Sequence, residues 1–358
     1  MYNFLLIEDT QSDAKAFEDT VKRINADEAI VEKYHLDIAK TFEEGKSKIN
    51  SSVNGIIVDI KLDDGNDGND IIKLVTEKFR VPVAIFTGTP DTPQEPDSPI
   101  HVYKKGEASH EEILNDLSAV LDTGLYNVLG GTGVIERAMN RVFWEFLYPK
   151  IDIWKTKKQE GIDTEKVLLR YAISHIHELI DNERPKYITE EMYICPPVNQ
   201  HISTGSIVRN KADSTYGIVL SPPCDLEIRE DGTFKTDSIL ICKIEPQDQI
   251  HSPLLRDKIS DKSRRKEIKK AAGNNYTEYY HWLPHNALFD GGYINFRKVS
   301  SYSPAEFGEL FDLPTIKIQE NFVKSILSRF SSYYARQGQP EFDCEKEIAI
   351  AAAMHVSV

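Results

Sequence analysis

Two rhythms alternate along the first third of the chain. Short apolar runs, NFLLI (3–7), GIIV (55–58), VAIF (83–86) and IHVY (100–103), with a weaker one in VEKYHLDIA (31–39), read as strands. A strand covered on both faces has no polar side to show, so unbroken runs of this kind point to a parallel sheet. Between them, SDAKAFEDTVKRIN (12–25), TFEEGKSKIN (41–50), NDIIKLVTEKF (69–79) and SHEEILNDLSAVLD (109–122) carry apolar residues at spacings of three and four, the period of an amphipathic helix. Ser109, followed three residues later by Glu112, makes a capping box for the last of these. The order βαβαβαβ…βα predicts an α/β doubly wound, flavodoxin-like sheet, whose functional groups gather beyond the C-terminal strand ends.

Those ends are all polar. The first strand runs into Glu8 and Asp9, the third into Asp59, the fourth into Thr87 and the fifth into Lys104. A cluster of Glu8, Asp9 and Asp59 cannot stay fully ionised unless a cation offsets the repulsion, and hard oxygen ligands suit Mg²⁺. With the metal present, Asp59 can attack a phosphoryl group in line, with the Thr87 hydroxyl and Lys104 ammonium on its oxygens, to give an aspartyl phosphate.

The pieces LLIEDT, IIVDIKL, AIFTG and VYKKG, in that order and each at a predicted strand end, resemble the receiver domain of two-component response regulators over residues 1 to about 123. The resemblance implies Asp59 as phosphoacceptor and Thr87 as the hydroxyl switch residue. It also implies Lys104 as the site lysine, and Mg²⁺ held by Glu8, Asp9, Asp59 and the main-chain carbonyl of Lys61. A histidine kinase or histidine phosphotransfer protein would be the phosphodonor. Three departures stand out. Lys105 follows Lys104 where receivers usually have proline, so either lysine can face the site; Lys104 is taken here. The loop after Asp59, IKLDDGNDG, is a residue longer than the common form. GTPDTPQEPDSP (88–99) places four prolines where receivers carry their fourth helix; at about 3 kcal/mol for each proline inside a helix, a loop is expected instead.

Behind this domain, TGLYNVLGGTG (123–133) reads as a glycine-rich hinge, and VIERAMNRVFWEFLYPKIDIW (134–154) and DTEKVLLRYAISHIHELIDN (163–182) as two helices. Val142, Phe143, Phe146 and Leu147 in the first, and Leu169, Ile173, Ile176 and Ile180 in the second, are the expected packing faces. The pair can also serve as a homodimer surface over 134–182. His175 and His177, two residues apart, do not share a helical face and read as structural.

From residue 203 the pattern turns to β. SIV, YGIVLS and SILICKI are strands, with turn chemistry at NKADS and EDGT, and together they suggest a small barrel. The run TGSIV…YGIVLSPPCD…SILICKIEP is weakly similar to the SH3-like barrel of the MazF/PemK toxin group, without an alignable catalytic set. In SPPCDL two prolines force the chain out of the strand before Cys224 and Asp225. A thiol at such a turn can be a nucleophile, but with no assignable base Cys224 is expected to be a buried structural cysteine. RDKISDKSRRKEIKK (256–270) holds eight basic and three acidic residues and precedes the aromatic NNYTEYYHWLP. Lysines tracking phosphates beside stacking aromatics would suit a nucleic acid, but a solvated helix before a buried strand is preferred.

Length and charge complete the expectations. A chain of 358 residues suits more than one domain, taken here as a receiver domain (1–123), a helical connector (124–200) and an α+β output module (201–358). Residues 1–123 hold 13 Lys and Arg against 25 Asp and Glu, net −12, whereas the remainder is net −2. The acidity is therefore local, and it disfavours nucleic acid at that end. Four separated cysteines fit neither a disulfide framework nor a zinc cage. No apolar run reaches the roughly 20 residues of a membrane helix, and MYNFLLIEDT reads as a first strand rather than an export signal, so a cytoplasmic location is expected. The function expected is a phosphorelay protein whose receiver signals to a C-terminal output. The alternatives are a receiver-gated nuclease or hydrolase and a phosphate-independent scaffold. No helix-turn-helix stands out.

Overall fold

The computed structural model describes residues 1–62, 68–88, 99–181, 186–254, 260–336 and 344–355. The chain forms two compact units, 1–184 and 185–358.

In the first unit, β1 (Tyr2–Ile7), β2 (Tyr34–Ala39), β3 (Gly55–Val58), β4 (Val83–Thr87) and β5 (His101–Lys104) form one sheet in the order β2-β1-β3-β4-β5. Every pairing is parallel. Helices α1 (Gln11–Ala26), α2 (Phe42–Lys48) and α3 (Gly68–Lys78) lie between successive strands, and α4 (His110–Asp122) follows β5. Alternation along β1 builds two cores, because successive side chains of a strand point to opposite faces. Phe4 and Leu6 pack with Phe17, Val21 and Ile24 of α1 and Ile113, Leu114 and Leu117 of α4. Leu5 and Ile7 pack on the other side with Ile71 and Val75 of α3. On α1 the buried residues Ala14, Phe17, Val21 and Ile24 recur at three and four, as the helical period requires. The capping box at Ser109 is present in full. This is the expected doubly wound, flavodoxin-like sheet. The expectations for the long metal-side loop (63–67) and the proline-rich segment (89–98) lie outside the described residues.

The hinge expected at 123–133 is instead a short helix, α5 (Leu125–Leu129), entered through Gly124 at φ 81°. Glycine takes that left-handed conformation without a Cβ clash. Tyr126 ties α5 to the sheet, its hydroxyl donating to the carbonyls of Ser51 (2.9 Å) and Val53 (3.2 Å). Composition suggested freedom, whereas one partly buried aromatic anchors the segment.

Helix α6 (Val134–Arg141) continues through a π-helical turn (Val142–Leu147) and a 3₁₀ turn (Tyr148–Lys150) into α7 (Ile151–Gln159). Helix α8 (Thr164–Asp181) returns beside it. The packing faces differ from those expected. Val142 is buried, but Phe143, Leu169, Ile173 and Ile180 are 46%, 60%, 56% and 66% exposed. The packed face of α8 runs instead through Leu168, Ala172, His175 and Leu179, one residue and so about 100° round the helix. Two adjacent apolar stripes exist, and periodicity alone cannot say which one is covered.

The second unit is built on a seven-stranded antiparallel sheet in the order β10-β11-β9-β8-β7-β12-β6. In chain order its elements are β6 (Tyr193–Ile194), β7 (Ser206–Arg209), β8 (Tyr216–Val219), β9 (Ile239–Glu245), α9 (Gln247–Leu254), α10 (Asp261–Ala272), β10 (Tyr280–Leu283), β11 (Gly292–Tyr302), α11 (Pro304–Leu310), β12 (Ile316–Ile318), α12 (Glu320–Tyr334) and α13 (Glu345–His355). The register of β11 on β9 shifts between Ile294 and Val299. Such a bulge bends the long strand and adds twist. The sheet curls, so that the Tyr193 hydroxyl on β6 donates to the Pro284 carbonyl just beyond β10, at 2.7 Å. The result is a barrel-like module around Ile207, Ile218, Cys242, Ile294, Phe296 and Ile326. Residues 185–200, assigned to the connector by sequence, belong to this unit, because Met192 and Tyr193 are part of that core. The basic stretch supplies α10, followed by β10 with His281 and Leu283 buried.

Candidate functional site

The ladder between β1 and β3 runs one residue past Val58, with the Asp59 amide donating to the Ile7 carbonyl at 3.0 Å. This sets Asp59 beside Glu8 at the C-terminal edge of the sheet. Both are buried, Asp59 at 6% exposure and Glu8 at 1%. Each of Glu8, Asp9 and Asp59 offers a carboxylate oxygen within 4.8 Å of the other two.

One side chain binds the group together. Lys105 Nζ lies 2.6 Å from Glu8 Oε2, 2.8 Å from Asp59 Oδ2 and 2.8 Å from Asp13 Oδ2. The lysine facing the site is therefore Lys105, and the assignment to Lys104 is corrected. Lys104 is the last residue of β5 and pairs with the exposed Glu107. Successive side chains leave a strand on opposite faces, so only one of two adjacent lysines can reach the carboxylates. The Lys105 amide prolongs the β4–β5 ladder by donating to the Thr87 carbonyl at 2.9 Å. Thr87 itself is 1% exposed, at the end of β4.

The electrostatics follow from burial and pairing. Burial pushes the Glu8 carboxyl above its usual range, while hydrogen bonds from Lys105 and the Thr10 amide pull against that rise. For Lys105, burial disfavours the charge, but the hydrogen bonds to Asp13, Asp59 and Glu8 outweigh it and raise its pKa. The second Asp59 oxygen, Oδ1, accepts from the Lys61 amide at 3.2 Å. Helix α3 begins against the main chain of Asp59 and Ile60, where a Cβ on Gly68 would stand 2.3 Å from the Asp59 carbonyl oxygen.

Asp13 was missed in the sequence, although an acid in the first turn of the helix following the Glu8–Asp9 pair was a usable signal. Cys224 and Asp225 lie in the second unit. Cys224 is exposed rather than buried, its thiol donating to Asp225 Oδ1 at 3.6 Å. His281 lies on β10 and is 4% exposed. His175 stacks on Phe146 with ring centroids 4.8 Å apart.

No family model matches the sequence, and no curated protein matches it. Solved structures do. Over about its first third the chain is similar to the PhyR response regulator REC domain of Erythrobacter litoralis (22% identity, 37% of this chain and 95% of that one, TM-score 0.26). It is likewise similar to a response regulator receiver domain from Clostridium thermocellum (16%, 34% and 96%, TM-score 0.28) and to one from Rhodospirillum rubrum (23%, 35% and 92%, TM-score 0.23). Among the described residues, no helix is long and apolar enough to cross a membrane.

Proposed function

We propose that the first unit is a receiver in which Asp59 accepts a phosphoryl group from a phosphohistidine on a partner kinase or phosphotransfer protein, and that the second unit is its output or protein-interaction module. The observation that carries this is the single ammonium of Lys105 held by Glu8, Asp59 and Asp13 at the C-terminal edge of a doubly wound parallel sheet. A structural ion pair needs one carboxylate; here a lysine and several acids converge where such sheets place their chemistry.

The donor set of Glu8, Asp9 and Asp59 is all carboxylate oxygen, which fits Mg²⁺. These residues, with the Lys61 carbonyl, would hold the ion. When bound, it neutralises charge on the phosphoryl oxygens. The chain's own groups do the rest. An Asp59 carboxylate oxygen attacks phosphorus as the bond to the donor nitrogen breaks, and the electron pair leaves with the imidazole. Lys105, kept charged by its carboxylates, turns from Asp59 Oδ2 to a phosphoryl oxygen, and the Thr87 hydroxyl donates to another. The buried Glu8 stays behind as counter-ion to the lysine.

The test is intact mass of the full chain after incubation with acetyl phosphate and Mg²⁺. One phosphoryl adduct is expected on the wild type, none on Asp59→Asn and none with a chelator in place of the metal. An unmodified wild type under these conditions, or an adduct that survives Asp59→Asn, refutes the proposal.

A further inference from the structure

We infer that the exposed stripe of α8 is the seam of a homodimer, in which the helical hairpin of residues 134–181 and its copy close a four-helix bundle. Leu169, Ile173, Ile176 and Ile180 follow one another at spacings of four, three and four. That is the a/d repeat of a helix packing against another along its length. Ile176 is partly buried, while Leu169, Ile173 and Ile180 each expose more than half their surface. The adjacent stripe through Leu168 and Ala172 is already used within the hairpin, so among the described residues α8 carries a second apolar stripe that its packing on α6 and α7 leaves exposed.

The other strand of the hairpin adds an exposed aromatic group. Phe143, Trp144 and Tyr148 pack on one another with ring centroids 4.9 to 5.5 Å apart, yet stay 46%, 63% and 51% exposed. Taking about 100 Å² for each half-exposed large side chain, these six residues leave on the order of 600 Å² of apolar surface in water. Spread over both arms of the hairpin, that surface approaches the roughly 800 Å² per partner that a stable dimer covers.

Charge selects a second copy as the occupant. Residues 134–181 hold eight Lys and Arg and eight Asp and Glu, net zero, beside a front domain at −12. The net charge of the front domain works against self-association through it, whereas the balanced charge of the hairpin does not. A twofold axis also sets a stripe against itself, which a repeat of four, three and four satisfies by construction. The inference is independent of the proposed chemistry at Asp59.

The experiment is sedimentation equilibrium of the full chain over a concentration series, with circular dichroism as the check on folding. A dimer is expected for the wild type. Ile173→Ala keeps a good helix former at the position, and the loss of two buried side chains per dimer should weaken association on the order of 100-fold. Ile173→Glu should be monomeric, and Glu178→Gln, off the stripe, should match the wild type. A wild type that stays monomeric at tens of micromolar overturns the inference. A folded Ile173→Glu that still dimerises overturns it in favour of another surface. Should Ile173→Glu unfold, the Ile173→Ala shift decides, and an unchanged dissociation constant refutes the seam.

Discussion

Replacing Lys105 by methionine tests the candidate site directly, because the side chain keeps its length and loses only the charge. In the folded chain Lys105 is 19% exposed and touches three carboxylates at 2.6 to 2.8 Å, two of them on the buried Glu8 and Asp59. At an effective dielectric of about 20, one unit-charge pair at 4 Å is worth about 4 kcal/mol, from which the desolvation of the lysine must be subtracted. Stripping one partner from a buried pair leaves the others uncompensated, at a cost of about 3 to 5 kcal/mol. Lys105→Met is therefore expected to lower unfolding stability by about 3 kcal/mol at pH 7.5 in chelator-containing buffer. The cost should shrink towards pH 5. Burial raises the folded-state pKa of Glu8 above its unfolded value, so the folded chain takes up a proton the unfolded chain does not, and removing the lysine raises it further. Protonated Glu8 then needs no counter-ion. Added Mg²⁺ should recover part of the loss at pH 7.5. Lys104→Met, which breaks only an exposed pair with Glu107, is expected to cost less than about 1 kcal/mol. The assay is urea unfolding of both variants at the two pH values. Equal midpoints for the two, or a Lys105→Met loss that grows on acidification, would refute the electrostatic account.

Two other perturbations follow from the same structure. His281 is buried on β10, its Nδ1 has no hydrogen-bond partner among the described residues, and burial with the nearby Arg329 charge pushes its pKa down to about 3. The unfolded histidine binds a proton below about pH 6.5 and the folded one does not, so stability should fall by about 2 kcal/mol between pH 7.5 and 5. His281→Leu should flatten that slope in denaturant titrations; an unchanged slope assigns it elsewhere. A methyl at Gly68 would meet the Asp59 carbonyl at 2.3 Å and Ile60 Cα at 2.9 Å, both backbone. Gly68→Ala should cost roughly 1 to 3 kcal/mol in thermal or urea unfolding and slow acetyl phosphate labelling of Asp59, whereas wild-type stability and labelling would show that α3 is free to shift.

Much of the front unit could be read in advance because its information is local. Runs of apolar residues are buried strands wherever the sheet is covered on both sides, and polar residues at their ends mark the functional edge. Lys105 was misjudged for a local reason too: the ladder with β4 extends one residue beyond the expected strand end at Lys104, and one residue changes the face. The connector failed differently. Composition at 123–133 suggested a hinge, and only the docking of Tyr126 shows a fixed helix. In the second unit, Met192 and Tyr193 precede the β-rich region by ten residues, and a two-residue strand gives no periodicity to detect.

What the order of residues determined alone was the alternation of strand and helix in residues 1–122, the caps, and the kinds of side chain at the sheet's C-terminal edge, since propensity and period act over a few residues. Tertiary structure decided which of two lysines turns inward, that Asp13 joins Glu8 and Asp59, which of two stripes on α8 is covered, and where the second unit begins. Each of those depends on contacts between residues distant in the chain, and burial, unlike periodicity, is a property of the neighbours a residue acquires on folding.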